Sequence, residues 1–434
     1  MNGRKILIVC LIVIMAGALA SCGTVKAKSV GDFSGDWPYP NPKNKRGVSY
    51  GFSERNAGDD MDLFGGGIKW FYNWASRPKK VVDREATAHN IAFIPMGWSN
   101  VDEDALRAYK RNHPECEYLL AYNEPNLTDQ ANMTPAQAAK KWPRLLAIAK
   151  ELDLKVVSPA MNFGTLKGYS HPIKWLDEFF NQKGVSLDDV SAIAIHCYMQ
   201  DAGAMKWYVG IFKKYGKPIW MTEFCAWEKI ANVNQQMVYM SEAIPYLELD
   251  PQVERYAWFI PKGGDVANKP YNKLLTNTIP PQLTDLGRIY LNMGPADQDI
   301  YVRSGQQIEA EHFTNNNVST SINKDGFSRP VHFRISTDAA GGILDIYDFT
   351  AEKWVEYQVE VPADKTYNLT LRNTASRATA MTIYVDGSAA SAISLPQTDT
   401  WRTGTFPIHL TAGRHSIRLE VSDGDCALNW LKVE

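Results

Sequence analysis

The sequence predicts two folds in series: an α/β region of (β/α)8 (TIM) barrel type, then an all-β sandwich of jelly-roll type. Three observations carry this. Eight short apolar runs alternate with helical stretches over about 250 residues, the strand count and size of a parallel-stranded barrel. Polar and aromatic residues collect at the C-terminal ends of those runs. From Tyr301 onward the helical spacing stops, and apolar and polar residues alternate with a period of two.

The eight runs are GVSYGF (47–52), IKWFYNW (68–74), IAFIPMGW (91–98), YLLAYNEP (118–125), LKVVSPA (154–160), SAIAIHCY (191–198), PIWMTEF (218–224) and RYAWFIP (255–261). Each is too short for a helix, and several are closed by proline. Helices are expected over 102–111, 135–151, 172–183, 202–214, 233–247 and 282–292. Pro135 follows Thr134 as a first-turn proline follows an N-cap. The barrel is assigned to 46–297 and the sandwich to 301–434. Within the sandwich, strands are expected at 354–361, 366–373, 380–387, 405–410 and 415–422. Turns such as Asp386-Gly387 and Ala412-Gly413 punctuate them.

The first residues bear on the compartment. Arg4 and Lys5 precede an apolar run over 6–20, shorter than the ~20 residues that span a bilayer. A basic start, a short apolar centre and small residues before a cut site form a secretory signal peptide, residues 1–21. The run Leu19-Ala20-Ser21-Cys22 resembles the bacterial lipobox. That resemblance implies cleavage before Cys22, lipid on its thiol and attachment to a membrane of the cell envelope. Gly23, rather than Asp, points to the outer membrane; which face carries the lipid is left open. Residues 22–45, with Pro38, Pro40 and Pro42, read as a tether. Cys116, Cys197, Cys225 and Cys426 have no CxxC or metal-ligand spacing and read as buried thiols, with a Cys197–Cys225 bridge as the alternative. Lys and Arg number 46 against 48 Asp and Glu, which excludes the basic footprint of a nucleic-acid binder.

Two glutamates stand out from this frame. Glu124 closes the fourth run inside Asn-Glu-Pro, and Glu223 lies near the end of the seventh. In a barrel, both fall at the mouth where chemistry is done. A pair of carboxyl groups about 5 Å apart is what retaining hydrolysis of a glycosidic bond requires, one to protonate the leaving oxygen and one to attack the anomeric carbon. Of such a pair the acid must stay protonated near neutral pH and the nucleophile ionised. Asn123, His196 and Tyr198 end neighbouring runs. His196 reads either as a positioner of substrate or carboxylates or as a satisfied strand-end histidine. Trp70, Tyr72, Trp74, Trp98 and Trp258 are candidates to stack on sugar faces; strand alternation turns about half of them into the wall. No HExxH motif or histidine cluster calls for a catalytic metal, so no cofactor is expected for catalysis.

The stretches KRGVSYGF, WFYNW, FIPMGW, LLAYNEPN, SPA, HCY, KPIWMTEF and AWF resemble glycoside hydrolase family 128, the endo-β-1,3-glucanases, across residues 45 to about 291. The resemblance implies that Glu124 is the acid/base and Glu223 the nucleophile. Asn123 would contact the 2-hydroxyl of the cleaved sugar, and Tyr198 would hold and tune Glu223. The sequence departs from the family at Asn126, where Asp is usual, and at Cys197, where the sixth strand usually carries Trp.

Residues from about 306 to 434 resemble a family 6 carbohydrate-binding module through IEAEHF, KWVEYQVEV, TWRTGTF, AGRHSIRLEV and LNWLKVE. That family's opening Glu-x-Glu implies that Glu309 and Glu311 hold a structural calcium, with Asn429 where an Asp is usual. Trp401, with Tyr347, would be its sugar platform; a sandwich kept for stability or spacing is the alternative. The whole chain thus reads as a lipid-anchored, retaining, endo-acting β-1,3-glucanase with β-glucan as its partner. The alternatives are a non-catalytic surface protein that captures glycan, and a barrel glycosidase acting on another β-glucan linkage. Endo and exo action are not separable from sequence.

Overall fold

Two basic residues open the first strand, and both are buried. The computed structural model describes residues 45–227, 230, 232–262, 271–293, 301–317, 331–342 and 344–434. The expected signal peptide, the Cys22 lipidation site and all of the tether but Lys45 lie outside the described residues. Strand β1 (Arg46–Ser49) starts the chain's parallel sheet. Lys45 Nζ donates to the carbonyls of Leu247, Glu248 and Asp250 at 2.8–3.1 Å, capping the end of a later helix (Val233–Leu249) whose last carbonyls lack intrahelical donors. The Arg46 guanidinium pairs with Glu248 at 3.3 Å and donates to the carbonyls of Tyr290, Leu291 and Met293.

After β1, strands and helices alternate as expected. The strands are β2 (Trp70–Tyr72), β3 (Ala92–Phe93), β4 (Tyr118–Leu120), β5 (Lys155–Val157), β6 (Ile193–Cys197), β7 (Ile219–Phe224) and β8 (Val253–Trp258). The helices are α1 (Ala57–Phe64), α2 (Lys80–Ala88), α3 (Glu103–Asn112), α4 (Pro135–Glu151), α5 (Pro172–Phe180), α6 (Ala202–Phe212), α7 (Val233–Leu249) and α8 (Asp285–Asn292). The first two helices have no counterpart in the sequence reading. A Thr134–Gln137 capping box starts α4, and Trp142, Leu145 and Ile148 bury its inner face. Six strands form one parallel sheet in the order β3-β2-β1-β8-β7-β6, and β4 pairs with β5 separately. Single parallel bridges join the two sheets on both sides: Met96 to Leu120, Val157 to Ala192 and Met161 to Ile195.

Between the strands lies an inner core that includes Trp70, Tyr72, Met96, Leu120, Val157 and Trp220. At the N-terminal strand ends Arg255 closes it, its guanidinium 4.6 Å from the Trp220 ring and 5.4 Å from that of Tyr118. Cys116, Cys197, Cys225 and Cys426 are buried and form no disulfide, so the Cys197–Cys225 bridge is absent.

From residue 301 the described chain is β-rich. Ten strands, β9 (Val302–Arg303), β10 (Gln307–Glu309), β11 (Asn315–Asn316), β12 (His332–Ile335), β13 (Leu344–Thr350), β14 (Trp354–Val361), β15 (Lys365–Val385), β16 (Ser388–Leu395), β17 (Thr398–Leu410) and β18 (Gly413–Val433), share one hydrogen-bonded network. The expected strands 366–373 and 380–387 are one continuous strand, β15. Its pairing with β18 shifts register four times between Arg372 and Met381, where bulges bend it.

Candidate active site

The Asn-Glu-Pro segment is held by its backbone. Past the end of β4, the N–H of Asn123 donates to Trp98 O at 2.8 Å and that of Glu124 to Ala160 O at 3.0 Å. The carboxylate is thus pinned between the ends of the third and fifth strands. Glu124 has φ 41° and Trp74 has φ 61°, left-handed conformations that L-residues adopt at a cost of ~1–2 kcal/mol. Such strain collects at functional sites.

Glu223, in β7, lies directly beside His196 of β6. An oxygen of Glu124, an oxygen of Glu223 and a ring nitrogen of His196 all lie within 4.8 Å of one another. Glu223 accepts from Tyr72 Oη at 2.7 Å, from Trp74 Nε1 at 2.8 Å and from Tyr198 Oη. Glu124 Oε1 receives Asn162 Nδ2 at 3.1 Å and sits 2.9 Å from His196 Nδ1, which is also 3.4 Å from Glu223 Oε2. His196 is fully buried; its Nδ1 meets both carboxylates, and its Nε2 has no partner among the described residues.

The proton balance differs from expectation. Burial pushes the Glu124 carboxyl up, but the charge and hydrogen bond of His196, with the Asn162 amide, outweigh it and leave Glu124 below its usual range. Burial pushes Glu223 up; the pull of His196 and of the Tyr198 and Tyr72 hydroxyls, offset partly by the Glu124 charge, does not reverse this. These directions are the opposite of the acid and nucleophile roles. The Glu124 direction depends on a charged His196, a form that the two carboxylates favour against its burial, whereas His196 pulls Glu223 down and burial still prevails there. Three donors besides His196 reach Glu223, and one reaches Glu124.

Both glutamates line a cleft of about 860 Å³, with Asn123, Tyr198, Trp74 and Trp98 on its wall. Asn123 Nδ2 donates to Gln130 at 3.1 Å, and its Oδ1 is buried with no partner among the described residues. Trp70, Tyr72 and Trp258 do not reach the cleft, which corrects their expected role on sugar. Trp70 belongs to the inner core and donates to Lys45 O; Trp258 packs outward on Phe224 and donates to Asn272 O. Tyr72, also fully buried, donates to Glu223 instead. In their place stand Phe259, Trp227, Asn162 and Phe163, which the sequence reading missed. Phe259 had a signal: once Trp258 faces out, strand alternation turns its neighbour in.

In the β-rich part, Trp401 is half-buried, its Nε1 donating to Thr337 at 3.1 Å. Tyr347 lies under the Arg334 guanidinium. Glu309 Oε2, Glu311 Oε2 and Asp345 Oδ2 are buried without partners among the described residues. Burial pushes Glu309 up to about 7 and Glu311 well above its usual range. Gly342 packs so closely that a Cβ there would meet Glu309 Oε2 at 2.1 Å. Asn429 is occupied otherwise: its Oδ1 accepts from Gly342 N at 2.7 Å and its Nδ2 donates to Ser336 and Leu344.

Residues 47–290 match the family described as Glycosyl hydrolase catalytic core, more than half of the chain. The chain belongs to that family. Both glutamates lie inside this catalytic core, and residues 329–434 match Carbohydrate binding module (family 6). Among solved structures, a GH128 (subgroup II) endo-β-1,3-glucanase from Pseudomonas viridiflava is 36% identical, with TM-score 0.51, over 57% of this chain and 96% of that one. The catalytic core is therefore of GH128 type. A second such enzyme, from Sorangium cellulosum, is 31% identical over 57% of this chain and 97% of that one, with TM-score 0.48. Alkali-sensitive linkage protein 1 of Schizosaccharomyces pombe is 24% identical over 261 residues, 57% of this chain; the match spans 44% of that relative's length.

Proposed function

We propose that the protein is a retaining β-1,3-glucanase that cleaves within glucan chains, with Glu124 as acid/base and Glu223 as nucleophile. The observation that carries this is the pair of carboxylates with oxygens within 4.8 Å on the cleft wall, near the about 5–5.5 Å of retaining enzymes. Glu223 attacks the anomeric carbon as Glu124 passes its proton to the leaving glycosidic oxygen. Glu124 then takes a proton from water, whose oxygen displaces Glu223 from the same carbon. The Tyr72, Trp74 and Tyr198 donors orient Glu223, and the two tyrosine hydroxyls favour its carboxylate form against burial. His196, which both carboxylates hold towards its charged form, lies within reach of either one and can pass a proton to Glu124; Asn123 Oδ1 is free to take the neighbouring sugar hydroxyl. Linkage and endo action rest on the Pseudomonas viridiflava relative. The alternation of strands and helices, joined by the bridges at β3–β4 and β5–β6, supports a closed (β/α)8 barrel over 46–297. The family 6 match supports a sugar-binding sandwich over 301–434, with Trp401 as its platform. The orphaned Glu309 and Glu311 oxygens fit a structural calcium, which would neutralise both carboxylates. Residues 4–22 support a signal peptide with lipid on Cys22 at the outer membrane; Cys22→Ser protein still held in membranes would sink that reading.

The deciding experiment incubates the protein from residue 23 onward with linear β-1,3-, β-1,4- and β-1,6-glucans and follows the products by NMR. Early β-anomer oligosaccharides from the β-1,3 chain alone are expected. Cleavage of another linkage would change the substrate, early α-anomers would exclude retention, and binding without cleavage would make the protein a glycan-capture protein.

A further inference from the structure

Few large apolar side chains are exposed among the described residues, and two of them meet beside the cleft. Phe163 is 40% exposed and Trp207 is 54% exposed. Their rings are parallel to within 6°, with centroids 6.5 Å apart. Phe163 lies in the loop after β5 and lines the cleft; Trp207, from α6, stands beside it with its ring half exposed.

The Phe163 ring is braced rather than loose. It packs on the buried Tyr208 ring at 5.6 Å and meets His171 edge-on at 5.6 Å. Its backbone N–H donates to Asn162 Oδ1 at 2.8 Å. Asn126, fully buried after Glu124-Pro125, donates to Asn162 O at 2.7 Å and to Tyr169 O at 3.3 Å. Gly164 runs so close to Asn126 that a Cβ there would meet its side chain at 2.4 Å. One loop therefore fixes both the Asn162 donor to Glu124 and the exposed ring beside it. Holding an apolar ring at a cleft edge in water has a use when something apolar lies on it.

The side of the cleft follows from the same loop. Asn162 binds Glu124, the group assigned to the leaving oxygen. Trp74, Tyr198, Trp227 and Phe259 instead cluster round Glu223, with Tyr198 and Trp227 centroids 4.6 Å apart and Tyr198 and Phe259 5.5 Å apart. We propose that Phe163 and Trp207 form an aromatic platform for a distal glucosyl unit on the leaving-group side of the scissile bond. This rests on the glucanase reading above. Flat rings suit the apolar C–H face of a sugar, and a platform beyond the catalytic pair favours long chains over short ones.

The test uses the protein from residue 23 onward, wild type and Trp207→Ala, with linear β-1,3-gluco-oligosaccharides of increasing length labelled at the reducing end. For the long members, Trp207→Ala should lower kcat/KM about tenfold and move the cleaved bond towards the reducing end. The melting temperature and the rate on an aryl laminaribioside, whose leaving group is too short to reach the platform, should not change. Trp207→Phe should restore most of the loss, and Phe163→Leu should reproduce it. An unaltered cleavage pattern with an active wild type would overturn the platform alone. A changed oligomeric state without altered cleavage would give the rings to a second copy, and would also overturn it. A wild type inactive on every member would remove the glucanase reading, and the platform with it.

Discussion

Glu124 and Glu223 are chemically identical side chains whose roles are set by what touches them. Three donors besides His196 reach Glu223, against one on Glu124, and favour the carboxylate form that the proposed nucleophile needs, against the burial that raises it. Glu223→Gln should therefore stop turnover while glucan binding, read by calorimetry, persists. Glu124→Gln should slow glucan hydrolysis by about 10²–10⁴-fold but barely slow formation of the glycosyl-enzyme from a dinitrophenyl glycoside, whose leaving group needs no proton. An equal loss on both substrates would remove Glu124 from the acid role. At this scale the sequence was most informative where chemistry and position coincide, at Asn123, Glu124, Glu223 and Tyr198. It failed at Trp70, Tyr72 and Trp258. Period-two alternation separates two faces of a strand, but depth decides whether an inward ring fills the core or reaches the mouth.

Strand and helix order was legible because each element carries its own signal: apolar runs of strand length, and the Thr134-Pro135 start of α4. Helix α2 escaped because its apolar face is thin, only Val82 and Ala86 being buried; helix α1 is only eight residues long. The loops carrying Asn162, Phe163 and Trp227 have no periodicity to read. In the β-rich part, β10 brings Glu309 and, two residues past its end, Glu311 into a site with two orphaned carboxylate oxygens. Calcium should raise the melting temperature of this part by several degrees, an effect that chelator reverses and Glu309→Gln abolishes. Calorimetry showing no response to calcium would leave these as uncharged acids, as their raised affinity for protons allows.

One apolar cluster runs from the catalytic core into the β-rich part, joining residues such as Leu291 and Met293 to Ile308 and Phe313. His312 sits at that joint, its Nε2 at 3.2 Å from the carbonyl of Asn292 at the end of α8. Burial pushes its pKa down to about 3. A depressed histidine is neutral when folded and binds a proton on unfolding, so its contribution is intact above about pH 6.5. Below that pH it is lost by about 1.4 kcal/mol per pH unit, until the folded pKa is reached. The stability of His312→Gln should fall less steeply than wild type between pH 6.5 and pH 4.5 in urea titrations; parallel slopes would refute the assignment.

The sequence by itself determined the order of elements, the change from helical to alternating spacing near residue 301, and the pair of glutamates at strand ends. Those are local properties, written in runs of a few residues. Only the tertiary structure decided which aromatics face the cleft and that one buried histidine reaches both carboxylates. It also decided that Phe163 and Trp207, 44 positions apart in the chain, lie side by side. These depend on contacts between residues far apart in sequence, and no local periodicity records them.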